Sequence, residues 1–135
     1  MIEIKNKSGV IIYKVDAKTL EGVELGGVKL IGANLKGANL KGSYLNDADL
    51  TDADLTGADL TGAMIYGANL KGANLTDANL KGADLTDANL EGSNFKNANL
   101  HNADLSWANL NDVNFVGANL VGIDRYSSRW ECGFR

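Results

Sequence analysis

A five-residue repeat governs this chain. From Val23 to Gly122 the unit Ala-Asx-Leu-x-Gly recurs twenty times without an insertion or a deletion. Its central position holds Leu in seventeen units, and the exceptions are Ile65, Phe95 and Phe115. Such a strict period limits the chain to folds that repeat one local shape every five residues.

Neither regular secondary structure accommodates this period. Five residues turn an α-helix through about 500°, so successive Leu side chains would spread around the helix and form no apolar stripe. Side chains alternate along a strand, so an odd period would send every second Leu to the opposite face. Each unit must therefore turn a corner. A chain that turns after every few extended residues coils into a solenoid with its Leu side chains inside.

The fifth position of each unit supports this corner. It holds Gly in twelve units, Asp in five, Asn in two and Trp in one. Gly adopts positive φ without steric cost, and Asn and Asp tolerate it best among the other residues. We expect the aspartates at this position to adopt that conformation: Asp47, Asp52, Asp77, Asp87 and Asp112. Because Trp does not readily take positive φ, Trp107 predicts a different turn type at its corner.

Residues 33–37 (Ala-Asn-Leu-Lys-Gly), 53–57 (Ala-Asp-Leu-Thr-Gly) and 68–72 (Ala-Asn-Leu-Lys-Gly) resemble the units of the pentapeptide-repeat family. The resemblance implies an all-β fold, a right-handed quadrilateral β-helix with four units in each coil and about five coils for the twenty units. Stacked residues are then twenty apart, which places Phe95 beneath Phe115. The first and central side chains of each unit would point inward, and the second, fourth and fifth would face solvent.

The two ends of a solenoid need covers. We interpret residues 1–22 as an N-terminal cap, 23–122 as the β-helix and 123–135 as a C-terminal cap or dimer contact. Residues 2–14 alternate in polarity around an Asn-Lys-Ser-Gly turn, which predicts a hairpin. We expect Asp16 to be the N-cap of a short helical turn. This lead segment resembles those of pentapeptide-repeat proteins encoded by phages and mobile elements.

The C-terminal segment departs from the repeat. Tyr126, Trp130 and Phe134 fall four residues apart, a spacing that favours one face of a helix. They predict either a lid on the last coil or a contact between two copies, as the C-terminal ends of some family members provide. Val116 and Val121 stand at outward fourth positions of the last units and are assigned to the same lid or contact.

The twenty-residue register sorts the outward charges onto four faces. We define the first face as the units centred on Leu25, Leu45, Ile65, Leu85 and Leu105, and number the other faces in chain order. The first face carries five carboxylates and no Lys or Arg, a net charge of −5, against −2, 0 and +1 for the second, third and fourth faces. The five are Glu24, Asp47, Asp84, Asp87 and Asp104.

The same face carries aromatic and Met exceptions to the repeat. Such residues are enriched where proteins meet, so the first face is a candidate protein-binding surface. Its candidate residues are Tyr44, Met64, Tyr66, Asp84, Asp87, Asp104 and Trp107. The alternative is that these exceptions accumulated where selection is weak.

The sequence offers little for catalysis. His101 is the single His and Cys132 the single Cys, so no His and Cys set for a metal exists. General acid–base catalysis needs a desolvated cleft to shift carboxylate pKa values, whereas these carboxylates are predicted on flat or convex faces. We predict no enzyme activity and no cofactor.

Composition narrows the location and the partner. No apolar run approaches the eighteen residues of a membrane span, and no signal peptide is visible, which with a single Cys predicts a cytoplasmic protein. A net charge of −4 disfavours direct nucleic-acid binding. Both a monomer and a homodimer joined at the C-terminal end fit the sequence.

Three functions remain open. The first is a rigid rod that presents one face to a protein partner of unknown identity. The second is inhibition or protection of DNA gyrase by duplex mimicry, which the family resemblance implies because some members are acidic rods. The short length and the several Lys residues of the repeats speak against this second function. The third is a structural or phage-associated accessory protein.

Overall fold

The computed structural model describes residues 1–129. Two strands lie at the N-terminal end, β1 at Ile2–Lys5 and β2 at Ile11–Val15. The described chain then continues as turns and isolated bridges, without a helix. Accordingly, this part of the chain holds no apolar helix long enough to cross a membrane.

Parallel bridges link each unit to the unit twenty residues later. Asn34 pairs with Asp54, and Asp54 pairs with Asn74. The Leu55 N–H donates to the Asn74 carbonyl at 2.7 Å, and the Asn74 N–H donates back to the Ala53 carbonyl at 2.9 Å. Twenty residues are four units of five, so each coil contains four units.

The interior is a stack of apolar side chains. Leu30, Leu50 and Ile65 are fully buried, and so is Phe95. The ring centroids of Phe95 and Phe115 lie 5.6 Å apart, which confirms their predicted stacking at a separation of twenty residues. Full burial of one such side chain is worth about 1.5–3 kcal/mol, so this stack is the main source of stability.

The corners share one backbone geometry. The first residue of a unit donates its N–H to the preceding central carbonyl, as Ala58 does to Leu55 at 3.0 Å. The fifth residue lies in the left-handed region, with φ of 67° at Gly57 and 57° at Asp52. All five turn aspartates lie in this region, which confirms the prediction made for them.

The second position has a role that periodicity alone did not reveal. Asp54 Oδ1 accepts a hydrogen bond from the backbone N–H of Thr56 at 3.0 Å, and the Thr56 hydroxyl donates to the same oxygen at 2.6 Å. Asn and Asp make such local bonds readily because their side chains are short. Many second-position side chains are therefore half-buried braces of the corner rather than purely solvent-facing groups.

The hairpin predicted for residues 2–14 is present. Strands β1 and β2 pair antiparallel, and in the turn between them Asn6 Oδ1 accepts the N–H groups of Ser8 and Val10, each at 3.0 Å. The other edge of β1 continues onto the first coil, where the Asn34 N–H donates to the Lys5 carbonyl at 2.7 Å.

The segment between hairpin and coil contains bends over residues 16–20, so the helical turn predicted after Asp16 is wrong. The repeat geometry starts one unit earlier than predicted. The Val23 N–H donates to the Leu20 carbonyl at 3.2 Å, and Gly22 takes a left-handed φ of 65°. Packing of Leu20 against the core outweighs the weak local preference that a cap residue contributes.

The repeat also continues past Gly122, where the sequence predicted a break. Asp124 bridges to Asp104 in the same twenty-residue register, and Ser127 adopts the left-handed corner conformation with φ of 51°. The predicted end of the period is therefore wrong for residues 123–129, which keep the backbone pattern of the coils before them.

The helix predicted for the tail does not form at Tyr126. The Tyr126 carbonyl accepts the Trp107 N–H at 2.8 Å, as a fourth-position residue of a coil does. The repeat was hard to recognise here because Arg125 stands where other units have Leu. Trp130 and Phe134 lie outside the described residues, so their part in a lid or a dimer contact stays a prediction.

Candidate protein-binding face

A column of second-position residues runs along the first face. It consists of Glu24, Tyr44, Met64, Asp84, Asp104 and Asp124, each bridged to the next. Neighbouring strands lie about 4.8 Å apart, so these side chains stand directly above one another. The column is apolar at Tyr44 and Met64 and acidic from Asp84 onward, and it contains four of the seven candidate residues.

The remaining candidates flank this column. Met64 is 40% exposed, Tyr66 41% and Trp107 55%, whereas Tyr44 is half-buried. Asp87 and Trp107 occupy the same left-handed corner in successive coils. All seven candidate residues therefore lie on one side of the solenoid.

Trp107 adopts the left-handed conformation, with φ of 62°. The Ala108 N–H donates to the Leu105 carbonyl at 3.1 Å, as at every other corner, and the Trp107 N–H donates to the next coil. The predicted difference in turn type is wrong because these hydrogen bonds fix the backbone whatever the side chain. A residue with a Cβ atom pays about 1–2 kcal/mol for this conformation.

Steric crowding between coils makes this corner more unusual. A Cβ atom built on Gly67 would overlap the side-chain oxygen of Asp47, twenty residues earlier. The same overlap occurs at Gly72, Gly117 and Gly122, each above an Asp or Asn. An Asp or Asn at a corner thus favours Gly in the coil above it. Within residues 1–129, two corners depart from this pattern, Asn97 above Asp77 and Trp107 above Asp87.

The Trp107 ring packs against Tyr126 of the next coil. Their centroids lie 5.7 Å apart and their planes meet at 72°, an edge-to-face contact. Beside them the Ser106 hydroxyl, nearly buried, donates to Asp124 Oδ1 at 3.1 Å. Tyr126 was predicted to belong to the C-terminal contact, but the structure places it on the first face. Extending the twenty-residue register to residue 127 would have found this pair.

The other described residues of the predicted C-terminal contact lie elsewhere. Val116 belongs to the third face and Val121 to the fourth, and each is 65% exposed. Tyr126 is 68% exposed on the first face. Over residues 1–129 the structure therefore does not bring these three side chains into one patch.

The carboxylates of the first face form no ion pair with the residues that the structure describes. The ion pair between Lys71 and Glu91, at 3.6 Å, lies on the second face. Residues 123–127 add both Asp124 and Arg125 to the first face, so it gains a sixth carboxylate while its net charge stays at −5. No group of three or more His, Cys, Asp or Glu among residues 1–129 is arranged to hold a metal ion.

Comparison with known proteins finds a match to the family model for pentapeptide repeats, in eight copies over residues 24–62, 73–112 and 88–124. A pentapeptide repeat protein from the cyanobacterium Cyanothece is 30% identical with a TM-score of 0.55, over 82% of this chain and 89% of that one. A pentapeptide repeat protein from Nostoc is 38% identical with a TM-score of 0.62, and the match covers 67% of this chain and 77% of that one. A pentapeptide repeat protein from the thylakoid lumen of Arabidopsis thaliana is 34% identical with a TM-score of 0.50, and the match covers 70% of this chain and 69% of that one. No curated protein matches the chain.

Proposed function

Because the chain belongs to the pentapeptide-repeat family, we propose that it is a non-enzymatic rod that binds a protein partner through its first face. In this proposal the rod is a right-handed quadrilateral β-helix of about five coils, with the hairpin as its N-terminal cap. The family resemblance supports the handedness, and the twenty-residue register supports the four-sided coil.

Trp107 is the observation that carries the proposal. Its side chain adds strain to the corner, yet it is more than half exposed, so packing of the core does not account for it. Its ring contact is with Tyr126, which is itself exposed. Residues held in sparsely populated conformations cluster at functional sites, and exposed Trp and Tyr supply much of the binding energy at interfaces.

Two further exposed side chains support the same surface. Met64 replaces the Asn or Asp of most other second positions, and Tyr66 replaces the Lys or Thr of many fourth positions. Met adapts its shape to a partner, and aromatic residues are enriched at interfaces. Tyr44 and Tyr126 are about four coils, or about 19 Å, apart, a span that fits one interface of standard size.

The carboxylates support binding rather than catalysis. Asp84 Oδ1 accepts the Thr86 N–H and Asp104 Oδ1 accepts the Ser106 N–H, both at 2.9 Å. These bonds hold the side chains against the outer surface of a coil. Proton transfer to a substrate needs a carboxyl group in a site that excludes water, and an outer face presents its groups to water instead.

Mimicry of duplex DNA, with gyrase as the partner, is the second candidate, and the acidic column at Asp84, Asp104 and Asp124 favours it. The six carboxylates of the first face span five coil steps of about 4.8 Å, or about one charge per 4 Å. Duplex DNA carries one charge per about 1.7 Å. The charge density along the first face is less than half that of duplex DNA, so mimicry of DNA is the weaker of the two candidate functions. No inhibition or protection in a gyrase supercoiling assay would exclude it.

The primary test is capture of a partner by the purified protein. The face variant combines Met64→Asn, Tyr66→Thr and Trp107→Gly, which are residues that other units carry at the same positions and therefore keep the fold. The control variant combines Val116→Thr and Val121→Lys on the other faces. We expect the control to retain the partner and the face variant to lose it. Equal recovery by both would contradict the proposal and favour a passive structural rod.

A further inference from the structure

We propose that the partner presents an arginine-bearing basic segment and that the corner of Trp107 and Tyr126 receives an arginine side chain. This inference rests on the proposed function and specifies the chemistry of the partner. The occupant is a positively charged segment of a second protein, which lies along the acidic part of the first face.

Charge complementarity selects a cation. The outward positions of the first face carry six carboxylates and neither Lys nor Arg between residues 24 and 124. Each of the other three faces carries at least two Lys residues. Arg125, at the central position of residues 123–127, is the one cation in the units of this face up to residue 127. The first face still carries the largest negative charge of the four, so it attracts a basic segment, whereas a nucleic acid would be repelled.

The exposed rings of Trp107 and Tyr126 provide the binding site for the cation. In the edge-to-face arrangement of Trp107 and Tyr126, one ring directs its edge at the other and leaves ring surface open to solvent. The face of a Trp ring attracts a cation within about 6 Å. Asp87 lies one coil before this corner and is exposed, and Asp104 belongs to the same unit as Trp107. The corner therefore has one carboxylate in the preceding coil and another in its own unit.

The geometry favours arginine over lysine. A guanidinium group is planar, stacks on an aromatic ring and donates two parallel hydrogen bonds to a carboxylate. It is also more weakly hydrated than an ammonium group, so it loses less on moving against a ring. A corner that combines an exposed ring with carboxylates in the same unit and in the preceding coil offers both kinds of contact to arginine.

Three synthetic peptides of equal length test the inference. One alternates Gly with Arg, one Gly with Lys, and one Gly with citrulline, the neutral isostere of Arg. Their binding is followed through the indole N–H signal of Trp107 in two-dimensional NMR spectra of the whole protein. We expect the Arg peptide to bind more tightly than the Lys peptide and the citrulline peptide to bind least. If no peptide shifts the signal at about 1 mM, the inference is overturned.

Two matched variants locate the contact. Binding to the variants is measured by titration calorimetry, because Trp107→Gly removes the indole signal. Trp107→Gly should weaken binding of the Arg peptide by about 2- to 30-fold, from the range of cation–π contacts. Asp87→Asn should weaken it too, whereas Asp77→Asn, the same change at a left-handed corner of the third face, should not. If Asp77→Asn weakens binding as much as Asp87→Asn, the charge of the whole rod is responsible and the inference is wrong.

The result also separates this inference from the proposed function. If the face variant loses the captured partner while the Arg and citrulline peptides bind equally, the first face binds a protein without selecting cations. If the face variant retains the partner, the proposed function itself is wrong.

Discussion

At the scale of single residues, Trp107 shows that the backbone ladder of a solenoid overrides the preference of one side chain. Its corner is held by a hydrogen bond within the turn and another to the next coil. The sequence-based prediction rested on the local reluctance of Trp to take positive φ. It identified the residue as exceptional but predicted the wrong backbone, because the restraint comes from residues nineteen positions away.

The strain at this corner can be measured by two substitutions. We expect Trp107→Gly to be more stable than Trp107→Ala by about 1 kcal/mol, because Ala keeps a Cβ atom in the left-handed region and Gly does not. Both variants lose the contact with Tyr126, so their difference isolates the backbone. Urea unfolding at equilibrium gives this difference. An Ala variant as stable as the Gly variant would show that the corner is unstrained.

Two serines at the same buried position differ in their hydrogen bonding. Ser93 Oγ donates to the Leu90 carbonyl at 2.6 Å, whereas Ser43 Oγ is buried without a partner in the described structure. We expect Ser43→Ala to raise the free energy of unfolding by about 1 kcal/mol, because it removes an unsatisfied polar group. Ser93→Ala should not raise it. Thermal unfolding of both variants checks this, and equal shifts would contradict it.

At the scale of structural elements, the corner is braced by its own side chains. The hydrogen bond from the Thr56 hydroxyl is the largest influence that lowers the pKa of Asp54. Thr61 lowers the pKa of Asp59 in the same way. Thr76 makes an identical bond at 2.6 Å, but its partner is Asn74, which does not titrate. The corners of Asp54 and Asn74 therefore form a matched pair: the hydroxyl bond is the same, but only Asp54 can be protonated and deprotonated.

The brace predicts a pH-dependent loss of stability. Thr56→Val removes the hydroxyl, so the pKa of Asp54 rises toward its ordinary value. Because the pKa of Asp54 is lower in the folded than in the unfolded state, the bond stabilises the fold above the unfolded-state pKa of about 4. This contribution disappears as the pH falls through the folded-state pKa. The variant should therefore lose more stability near pH 7 than near pH 3.

Thr76→Val is the control for this prediction. Since Asn74 carries no charge at any pH, the cost of removing its Thr partner should be the same near both pH values. Urea unfolding of both variants at the two pH values measures the costs. A pH dependence of equal size in the two variants would show that the titration of Asp54 is not responsible.

The sequence predicted the hairpin at the N-terminal end correctly but predicted helical turns that do not form. The hairpin was predicted correctly because alternation and a turn motif act together within residues 2–14. The helical turn after Asp16 and the helical tail at Tyr126 were wrong, because each rested on a short spacing that tertiary packing outweighs. Leu20 and Ile123 pack against the core, so the coil extends in both directions beyond the repeats that the sequence pattern shows.

At the scale of the whole molecule, each coil is stabilised by its neighbours. Leu75 is fully buried between coils, whereas Leu120 is only partly buried. We expect Leu75→Ala to lower the free energy of unfolding by about 2–5 kcal/mol and Leu120→Ala to lower it clearly less. Denaturant unfolding of both variants provides the comparison. Equal costs would contradict the view that burial between coils sets stability.

The layout of the first face was predictable from the sequence because the register alone decides which residues share a side. Tyr44, Met64, Asp84 and Asp104 lie in one column for that reason. The contact of Trp107 with Tyr126 was not predictable from the repeat, because Arg125 at a central position conceals the continuation of the register past residue 122.

Hydroxyl-radical footprinting of the protein with its captured partner tests the central claim most directly, because Met, Tyr and Trp side chains oxidise readily. We predict that oxidation of Met64, Tyr66 and Trp107 falls in the complex, whereas that of Met1, which is 76% exposed at the N-terminus, does not change. Unchanged oxidation of Met64, Tyr66 and Trp107 in a saturated complex would show that the partner binds elsewhere, and the first face would not be the binding surface.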